Sequence, residues 1–258
     1  MTGSIYMAAS GALAYKKRLE VLSNNLANVN TAGFKQEKNT FQAYFLSETP
    51  NCEIANTSNS APSQGPLFWT QLKSMTDYSP GPVKETGNYL DVAINGRGFF
   101  AVQTPYGVQY TRRGDFTMNQ NGILVTQQGY PVMGEGGEIP VDSQAKLTDR
   151  KGHKFSVDEK GNVSVDGNHV DRLRIVDFEK PQLLEKVGHS FFKTIGLHVT
   201  EAPAENFRIE QGSLELSNVD AVKIMAELIE VVRGYETYQK VIRSIDDVNA
   251  KIINEVGK

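Results

Sequence analysis

The chain of 258 residues carries a net charge of −3, and 39% of its residues are hydrophobic. This length accommodates one large domain or two small ones. The weakly acidic charge excludes the basic footprint of a protein that binds nucleic acid or an anionic membrane. One cysteine, Cys52, excludes an internal disulfide and a cysteine-based metal site. No stretch approaches about 18 consecutive apolar residues, so no membrane insertion is predicted, and the N-terminus lacks the features of a cleaved signal peptide.

The first regular hydrophobic pattern lies within residues 4–29. Apolar or aromatic residues recur there at alternating intervals of three and four. This is the 3.5-residue period of a helix that packs against another helix. The pattern predicts a helix within an N-terminal region of residues 1–35. We call its apolar stripe the N-terminal seam; it consists of Ile5, Ala8, Ala12, Tyr15, Leu19, Leu22, Leu26 and Val29.

Residues 36–82 have no sustained period and are predicted to form an extended connector. Within it, residues 47–66 are rich in Ser, Thr, Asn and Pro, a composition typical of loops. A short aromatic patch begins at Phe41 and ends at Phe45.

The central region, residues 83–210, has the pattern of an antiparallel β domain. Short alternating segments are separated by turn residues roughly every eight to twelve positions, which indicates a sandwich or a barrel-like fold. Asn95-Gly96 is predicted to be a hairpin turn. Further turns are predicted at Tyr106-Gly107, residues 119–122, Gln128-Gly129 and residues 158–161.

The C-terminal region, residues 211–258, contains a second and longer 3.5-residue repeat. A helix of about 38 residues is predicted, which is roughly 57 Å at 1.5 Å per residue and too long for one small domain. Asn249 is its one polar position; it either fixes register or partner choice or marks a solvated break near a frayed end. We call this stripe the C-terminal seam; it consists of Ala221, Ile224, Leu228, Val231, Tyr235, Tyr238, Ile242, Ile245, Asn249, Ile252 and Val256.

The two seams predict an α+β fold in which long terminal helices form a coiled-coil-like helical core and the central region forms an antiparallel all-β domain. The simplest arrangement pairs the two helices within one chain. Because the C-terminal helix is longer than its partner, we expect its remainder, including Asn249, to contact other chains. The alternative is a pair of amphipathic helices that cover one core.

No residue pattern typical of an active site is present, so neither an enzyme nor a cofactor or metal is predicted. Gly96-Arg-Gly98-Phe-Phe-Ala101 fits a dinucleotide-binding pattern, but such a loop must open a helix, and the residues that follow it are strand-like. His153, His169, His189 and His198 lack the spacing of a helical metal site. A periplasmic hydrolase that remodels the cell wall and a β-fold binding module are the alternatives from other functional classes.

Several stretches of the chain carry a resemblance to a known family. Ser23-Asn-Asn-Leu-Ala-Asn-Val-Asn-Thr-Ala-Gly-Phe-Lys35 resembles the N-terminal signature of bacterial flagellar rod and hook proteins. Residues 90–100 and 110–116 resemble the β-domain pattern of the same family, and residues 211–220 resemble its C-terminal signature. Because these stretches lie at both ends and in the middle, the resemblance extends over nearly the whole chain, which is identified as a member of this family.

Within the family, residues 132–140 and 240–247 are most similar to proximal rod proteins of the FlgF type, and distal rod subunits of the FlgG type are the near alternative. The resemblance implies a structural subunit of the basal-body rod. Such subunits polymerise helically, with copies of themselves and with the other rod proteins, into a hollow drive shaft that transmits torque. Their terminal helices enclose the export channel, and their β domains lie outside.

The resemblance also implies a route and a location. Rod subunits pass through the flagellar type III export apparatus without signal cleavage, and the rod spans the periplasm. The patch from Phe41 to Phe45 resembles the element with which such substrates engage the export gate. A simple aromatic contact within the connector is equally compatible with this patch.

Overall fold

A helix lies at each end of the chain, and short strands occupy the sequence between them. The computed structural model describes residues 2–45, 68–141, 155–194 and 201–256. The helices are α1 (Thr2–Ala27) and α2 (Ala221–Val256). The central strands pair antiparallel, which confirms the predicted α+β class. The coiled-coil-like character of the helices stays a prediction.

The described strands are, in chain order, β1 Glu37–Phe45, β2 Phe68–Thr76, β3 Val83–Glu85, β4 Val92–Gly96, β5 Phe99–Thr104, β6 Gly107–Thr111, β7 Thr117–Met118, β8 Leu124–Val125, β9 Phe155–Val157, β10 Asn162–Val165, β11 Asn168–Arg172, β12 Ile175–Phe178, β13 Leu184–Gly188, β14 Phe191–Thr194, β15 Glu201–Pro203, β16 Phe207–Gln211 and β17 Ser213–Glu215. A short 3-10 helix, Pro181–Leu183, precedes β13.

Residues 24–36 and 76–225 form one of two compact units, which we call the β unit. Its largest sheet has six strands in the order β13-β14-β6-β5-β12-β15. A three-stranded sheet, β11-β10-β9, and the pairs β16-β4, β17-β3 and β7-β8 make up its other described strands.

Strand β5 is the centre of the β unit, and its alternate side chains enter two hydrophobic clusters. Phe100 packs against Phe116 with ring centroids 5.1 Å apart, and Phe99 packs against Phe192 at 5.7 Å. Successive strand residues point to opposite faces of a sheet. The uninterrupted apolar run of residues 99–102 therefore fits a strand that is covered on both faces.

Most of the predicted turns are present. Strands β5 and β6 form a hairpin across Tyr106-Gly107, β7 and β8 across residues 119–122, and β9 and β10 across residues 158–161. At Gln128-Gly129, the chain closes through a backbone hydrogen bond from Thr126 N–H to the carbonyl of Tyr130. Local turn chemistry was sufficient to place these hairpins.

The hairpin predicted at Asn95-Gly96 is wrong. Strand β4 pairs with β16, whereas β5 pairs with β6 and β12, so the two strands on either side of Gly96 belong to different sheets. Gly96 has φ of 115°, and a Cβ at this position would lie 2.5 Å from the carbonyl oxygen of Asn206. The glycine is needed for close approach of a distant segment, not for a two-residue turn.

Residues 1–23, 37–75 and 226–258 form the second compact unit, which we call the helical unit. It contains most of α1 and α2 together with β1 and β2, which pair in a two-stranded sheet. These strands lie within the predicted connector, where no hydrophobic period indicates strand pairing. Residues 47–66 of the connector lie outside the described residues.

The helices are shorter than the terminal regions predicted to contain them. Helix α2 begins at Ala221, where the C-terminal seam begins, and its 36 residues agree with the predicted length of about 38. The predicted C-terminal region also contains strand β17, Ser213–Glu215, which pairs with β3. The division into four parts with boundaries at residues 35, 82 and 210 stays a prediction. Neither helix is apolar enough over its described length to cross a membrane.

Candidate assembly surfaces

The two terminal helices contact each other in the helical unit. The rings of Tyr15 and Tyr238 lie with their centroids 5.4 Å apart, and Nη2 of Arg18 lies 4.0 Å from Oε2 of Glu227. Contacts that advance along α1 move backwards along α2, so the helices run antiparallel. Pairing of the two seams within one chain is therefore part of this structure.

The seam positions are the less exposed stripe of each helix. In α1, Ala8 and Leu22 are buried; the half-buried positions are Ile5, Ala12, Tyr15, Leu19 and Leu26. In α2, Ile224 and Val231 are buried; the half-buried positions are Ala221, Leu228, Tyr235, Tyr238, Ile242, Ile245 and Asn249. The side chain of Ile252 lies outside the described residues. The role of these positions as contacts between subunits stays a prediction.

Large apolar side chains also lie outside the seams, where they face solvent. In α1, Tyr6 and Leu13 are 74% and 65% exposed; in α2, Val222 and Ile229 are 75% and 55% exposed. Single exposed apolar residues are common in proteins, but their recurrence along both terminal helices indicates an interaction surface. We call Tyr6, Met7, Leu13 and Ile229, which all lie in the helical unit, the outer apolar face.

The outer apolar face was not predicted, although the sequence of α2 carries a signal for it. Val222, Met225, Ile229 and Val232 follow the same alternation of three and four as the C-terminal seam. A second apolar stripe is buried only if a second surface covers it. One stripe pairs with α1, and the other is exposed in the single chain.

A different kind of site lies in the β unit, where three charged side chains are buried together. Nζ of Lys35 lies 2.5 Å from Oε1 of Glu215, and Nη1 of Arg112 lies 3.2 Å from Oε2 of the same carboxylate. The side chains of Lys35 and Glu215 are 0% and 1% exposed. We call these three residues the buried ion cluster.

Hydrogen bonds from the surrounding backbone stabilise the buried ion cluster. Lys35 Nζ donates to the carbonyl oxygen of Ser79 at 2.7 Å, and Gly81 N–H donates to Oε1 of Glu215 at 2.9 Å. Arg112 donates to the carbonyl oxygens of Ile94 and Gly96 at 3.1 and 2.7 Å. A buried charge needs such partners because its hydration is lost on folding.

Burial is the largest influence on the pKa values of Lys35 and Arg112. It lowers the pKa of Lys35 and the pKa of Arg112 below their ordinary values, and the negative charge of Glu215 opposes both shifts. One carboxylate therefore stabilises two cations in a dry environment. Loss of that carboxylate leaves both without their main partner.

Three separate parts of the chain match known protein families. Residues 5–35 match a family described as flagella basal body rod protein. Residues 93–165 match the D1 domain of flagellar hook protein FlgE/F/G, and residues 210–255 match the C-terminal part of flagellar basal body rod FlgEFG protein.

Individual relatives match over the full length. The flagellar basal-body rod protein FlgF of Caulobacter vibrioides is 32% identical over 259 residues, covering 100% of this chain and 99% of the relative. The chain belongs to the flagellar basal-body rod protein family. FlgG of Bacillus subtilis is also 32% identical, over 266 residues and 99% of its length, and FlgF of Mesorhizobium japonicum is 30% identical over 258 residues. Relatives of both the FlgF and FlgG types thus resemble the chain equally well.

The three parts of the chain that match rod-family models meet at the buried ion cluster. Lys35 is the last residue of the first matched part, Arg112 lies in the second, and Glu215 lies in the third. All three residues lie within the family signatures of the sequence, but no role was predicted for them. The charged residues are up to 180 positions apart in the chain. Their burial depends on tertiary contacts, which a local sequence pattern does not indicate.

The backbone around the buried ion cluster joins the same segments of this rod-family chain. Gly33 N–H donates to the carbonyl of Glu215 at 2.8 Å, and Gln36 N–H donates to Oδ1 of Asn218 at 2.8 Å. A Cβ on Gly33 would lie 2.4 Å from the carbonyl carbon of Arg112. The segment that follows α1 is thus tightly packed between the central and C-terminal parts of the β unit.

The remaining sequence-predicted positions contribute nothing to these surfaces. Phe41 and Phe45 lie in strand β1, and their side chains are outside the described residues, so their export role stays a prediction. His169 and His189 are exposed. Cys52, His153 and His198 fall outside the described residues. In the described part of the chain, no three His, Cys, Asp or Glu side chains are grouped suitably for a metal ion.

Proposed function

We propose that the chain is a structural subunit of the proximal flagellar rod, which polymerises helically with copies of itself and with neighbouring rod subunits. In this proposal, the assembled terminal helices enclose the export channel of a hollow shaft, and the shaft transmits torque. The observation that carries the proposal is the outer apolar face on the terminal helices of a rod-family chain. Burial of that face between subunits is favourable, at roughly 25 cal/mol per Å².

The contact that builds a rod must be heterologous. A surface that meets a different surface on the next copy, without closing into a ring, generates a helical filament. The outer apolar face and the part of α2 left uncovered by α1 are two such different surfaces. The proposal assigns the chain no enzymatic activity and no cofactor, as befits a family of structural rod proteins.

Incorporation into basal bodies tests this function. The Ile229→Asp and Leu13→Asp variants replace exposed side chains, so the Tm of the purified chain should change by less than about 2 °C. We expect the variants to be absent from isolated basal bodies and the cells not to swim. Ser244→Asp adds the same charge at an exposed polar position of α2 and serves as the control. Normal incorporation of both variants would contradict the proposal.

A distal position of the FlgG type is the second candidate. The full-length match to Bacillus subtilis FlgG supports it at the same identity as the FlgF match. Residues 132–140 and 240–247 favour the proximal position. A reconstruction of the basal body with this subunit labelled would distinguish the two, since a label near the distal end excludes the proximal assignment.

We further propose that the chain reaches the rod, within the periplasm, through the flagellar type III export apparatus. Phe41 and Phe45 are the proposed contacts with the export gate. Secretion of the Phe41→Ala/Phe45→Ala variant should fall while its intracellular amount is retained. Tyr44→Ala, which removes a neighbouring aromatic ring, is the matched control. Equal secretion of all three chains would contradict this assignment.

A further inference from the structure

Two glycine–tyrosine contacts connect α1 with α2 in a reciprocal way. A Cβ on Gly11 would lie 2.4 Å from Cε1 of Tyr238, and a Cβ on Gly234 would lie 2.1 Å from Cε1 of Tyr15. Each tyrosine ring therefore occupies the space that any larger residue would need. The two rings also contact each other, with centroids 5.4 Å apart.

The same spacing occurs on both helices. Each tyrosine lies four positions after the glycine of its own helix, as Gly11 with Tyr15 and Gly234 with Tyr238. Residues four apart lie on one face of a helix, about one turn from each other. Because the helices are antiparallel, each glycine lies opposite the tyrosine of the partner helix, and both contacts form at once.

Glycine within a helix requires a reason, because it is a poorer helix former than alanine. Gly234 is the one glycine of α2, and Gly11 lies well inside α1. The tyrosine rings supply the reason. At these positions the cost to the helix is offset by close packing that only glycine permits.

The seams alone do not distinguish between alternative alignments of the two helices. A 3.5-residue repeat realigns when one helix slides by seven residues, since aliphatic residues again meet aliphatic residues. That slide would place Tyr15 against Glu227 or Val241 in place of Gly234. It would likewise move Tyr238 from Gly11 to Ser4 or Arg18, so both rings would meet a side chain.

We infer that Gly11, Tyr15, Gly234 and Tyr238 determine the register of the terminal helix pair and thereby set which part of α2 is offered to neighbouring subunits. When the pairing of Gly11 with Tyr238 and of Tyr15 with Gly234 is extended along the helices, Asp247 lies opposite the first residue of α1, so the residues after Asp247 extend beyond it. They include Asn249 and Ile252 of the C-terminal seam. A slide of seven residues would change that overhang by about 10 Å, at 1.5 Å per residue. This consequence for assembly rests on the proposed rod function, whereas the register itself does not.

The direction in which a Gly→Ala substitution changes the Tm tests the register contacts. On an open helix face, Gly234→Ala raises stability because alanine favours the helix. Here we expect Gly234→Ala to lower the Tm of the purified chain by at least about 3 °C, followed by circular dichroism at 222 nm. Removal of the opposing ring should reverse the loss, so Gly234→Ala should be neutral or stabilising in a Tyr15→Ala background. Stabilisation by Gly234→Ala in the parent chain would overturn the inference.

The mismatched combination is the control. Gly234→Ala should remain destabilising in a Tyr238→Ala background, because that ring faces Gly11 and not Gly234. The reciprocal cycle, Gly11→Ala with Tyr238→Ala, should behave in the same way. Equal rescue by either tyrosine substitution would show that the pairs do not act as specific partners and would also overturn the inference.

A distance measurement tests register separately from stability. Spin labels at Lys17→Cys and Thr237→Cys, in a Cys52→Ser chain, report the alignment from exposed positions. The parent should give one narrow distance distribution, and Gly11→Ala/Gly234→Ala should broaden or shift it. An unchanged distribution would contradict the role in register. If this role holds but Asn249→Asp and Ile252→Asp subunits enter the rod normally, the proposed assembly surface fails and the register contacts stand.

Discussion

The β unit and the helical unit differ in how completely one chain buries their apolar surface. In the β unit, Phe100, Val102 and Phe178 have no exposed surface. In the helical unit, most described seam residues are only half-buried, and Leu13 and Ile229 lie outside the seams and are largely exposed. The β unit thus forms its core within one chain, whereas the helices leave apolar surface exposed, which we propose a neighbouring subunit covers. The buried core and the proposed assembly surface therefore lie in different parts of the same chain.

Removal of the buried carboxylate should be among the most destabilising changes to the β unit. Glu215→Gln leaves Lys35 and Arg112 buried without a counter-charge, so we expect the β unit to lose roughly 3–5 kcal/mol. Urea unfolding followed by a β-unit signal measures the loss. Glu205→Gln removes a charge from an exposed position and should change stability by less than about 0.5 kcal/mol. A small effect of Glu215→Gln would show that the cluster does not hold the unit together.

Matched truncations of large apolar residues measure how much burial stabilises each unit. Phe100→Ala removes a fully buried ring and should cost about 3–5 kcal/mol. Leu228→Ala truncates a half-buried seam residue, and we expect about 1 kcal/mol in the isolated chain. Both values come from equilibrium unfolding of the purified protein. Equal losses would mean that the helical unit is as complete in the single chain as the β unit.

Alanine substitution at two glycines of the β unit distinguishes the cost of backbone strain from the cost of a steric clash. Gly96 and Gly107 both have positive φ, 115° and 101°. A Cβ meets a carbonyl oxygen at Gly96 and nothing within 4 Å at Gly107. Gly107→Ala should therefore cost about 1 kcal/mol from strain alone, and Gly96→Ala about 2–3 kcal/mol. Thermal unfolding of the two variants tests whether the approach of β16 to β4 is as tight as observed.

Lys35 should make the stability of the β unit depend on pH. Burial lowers the pKa of Lys35 from its ordinary value of 10.5. Between the lowered value and 10.5, the unfolded chain binds the proton more than the folded chain does. Stability relative to Lys35→Met therefore rises with pH in that window, by at most about 1.4 kcal/mol per pH unit. Parallel unfolding measurements from neutral to alkaline pH check the sign; a falling difference would contradict it.

The helical repeats and the turns were predicted correctly because they depend on residues that are close in sequence. The seams follow from helical period, because a residue such as Val231 is buried by its position on the helix face. The turns at Tyr106-Gly107 and residues 158–161 follow from local backbone preferences. Assembly roles for the seam residues rest on the family resemblance and stay predictions.

Features that depend on distant parts of the chain were missed. Asn95-Gly96 has the composition of a hairpin turn, but β4 pairs with β16, which lies more than a hundred residues later. Strand β17 was assigned to a helical region because its three residues are too few to show a period. The Gly–Tyr contacts between α1 and α2 required knowledge of the register, which the repeats leave open.

The ion pair between Lys35 and Glu215 also has a kinetic consequence, because it joins residues 180 positions apart. Contacts of such long range close large loops and slow the folding of a domain. A chain that emerges from its N-terminus presents Lys35 early and Glu215 only near its end. Until Glu215 emerges, Lys35 and Arg112 lack their counter-charge, so the β unit cannot complete its fold.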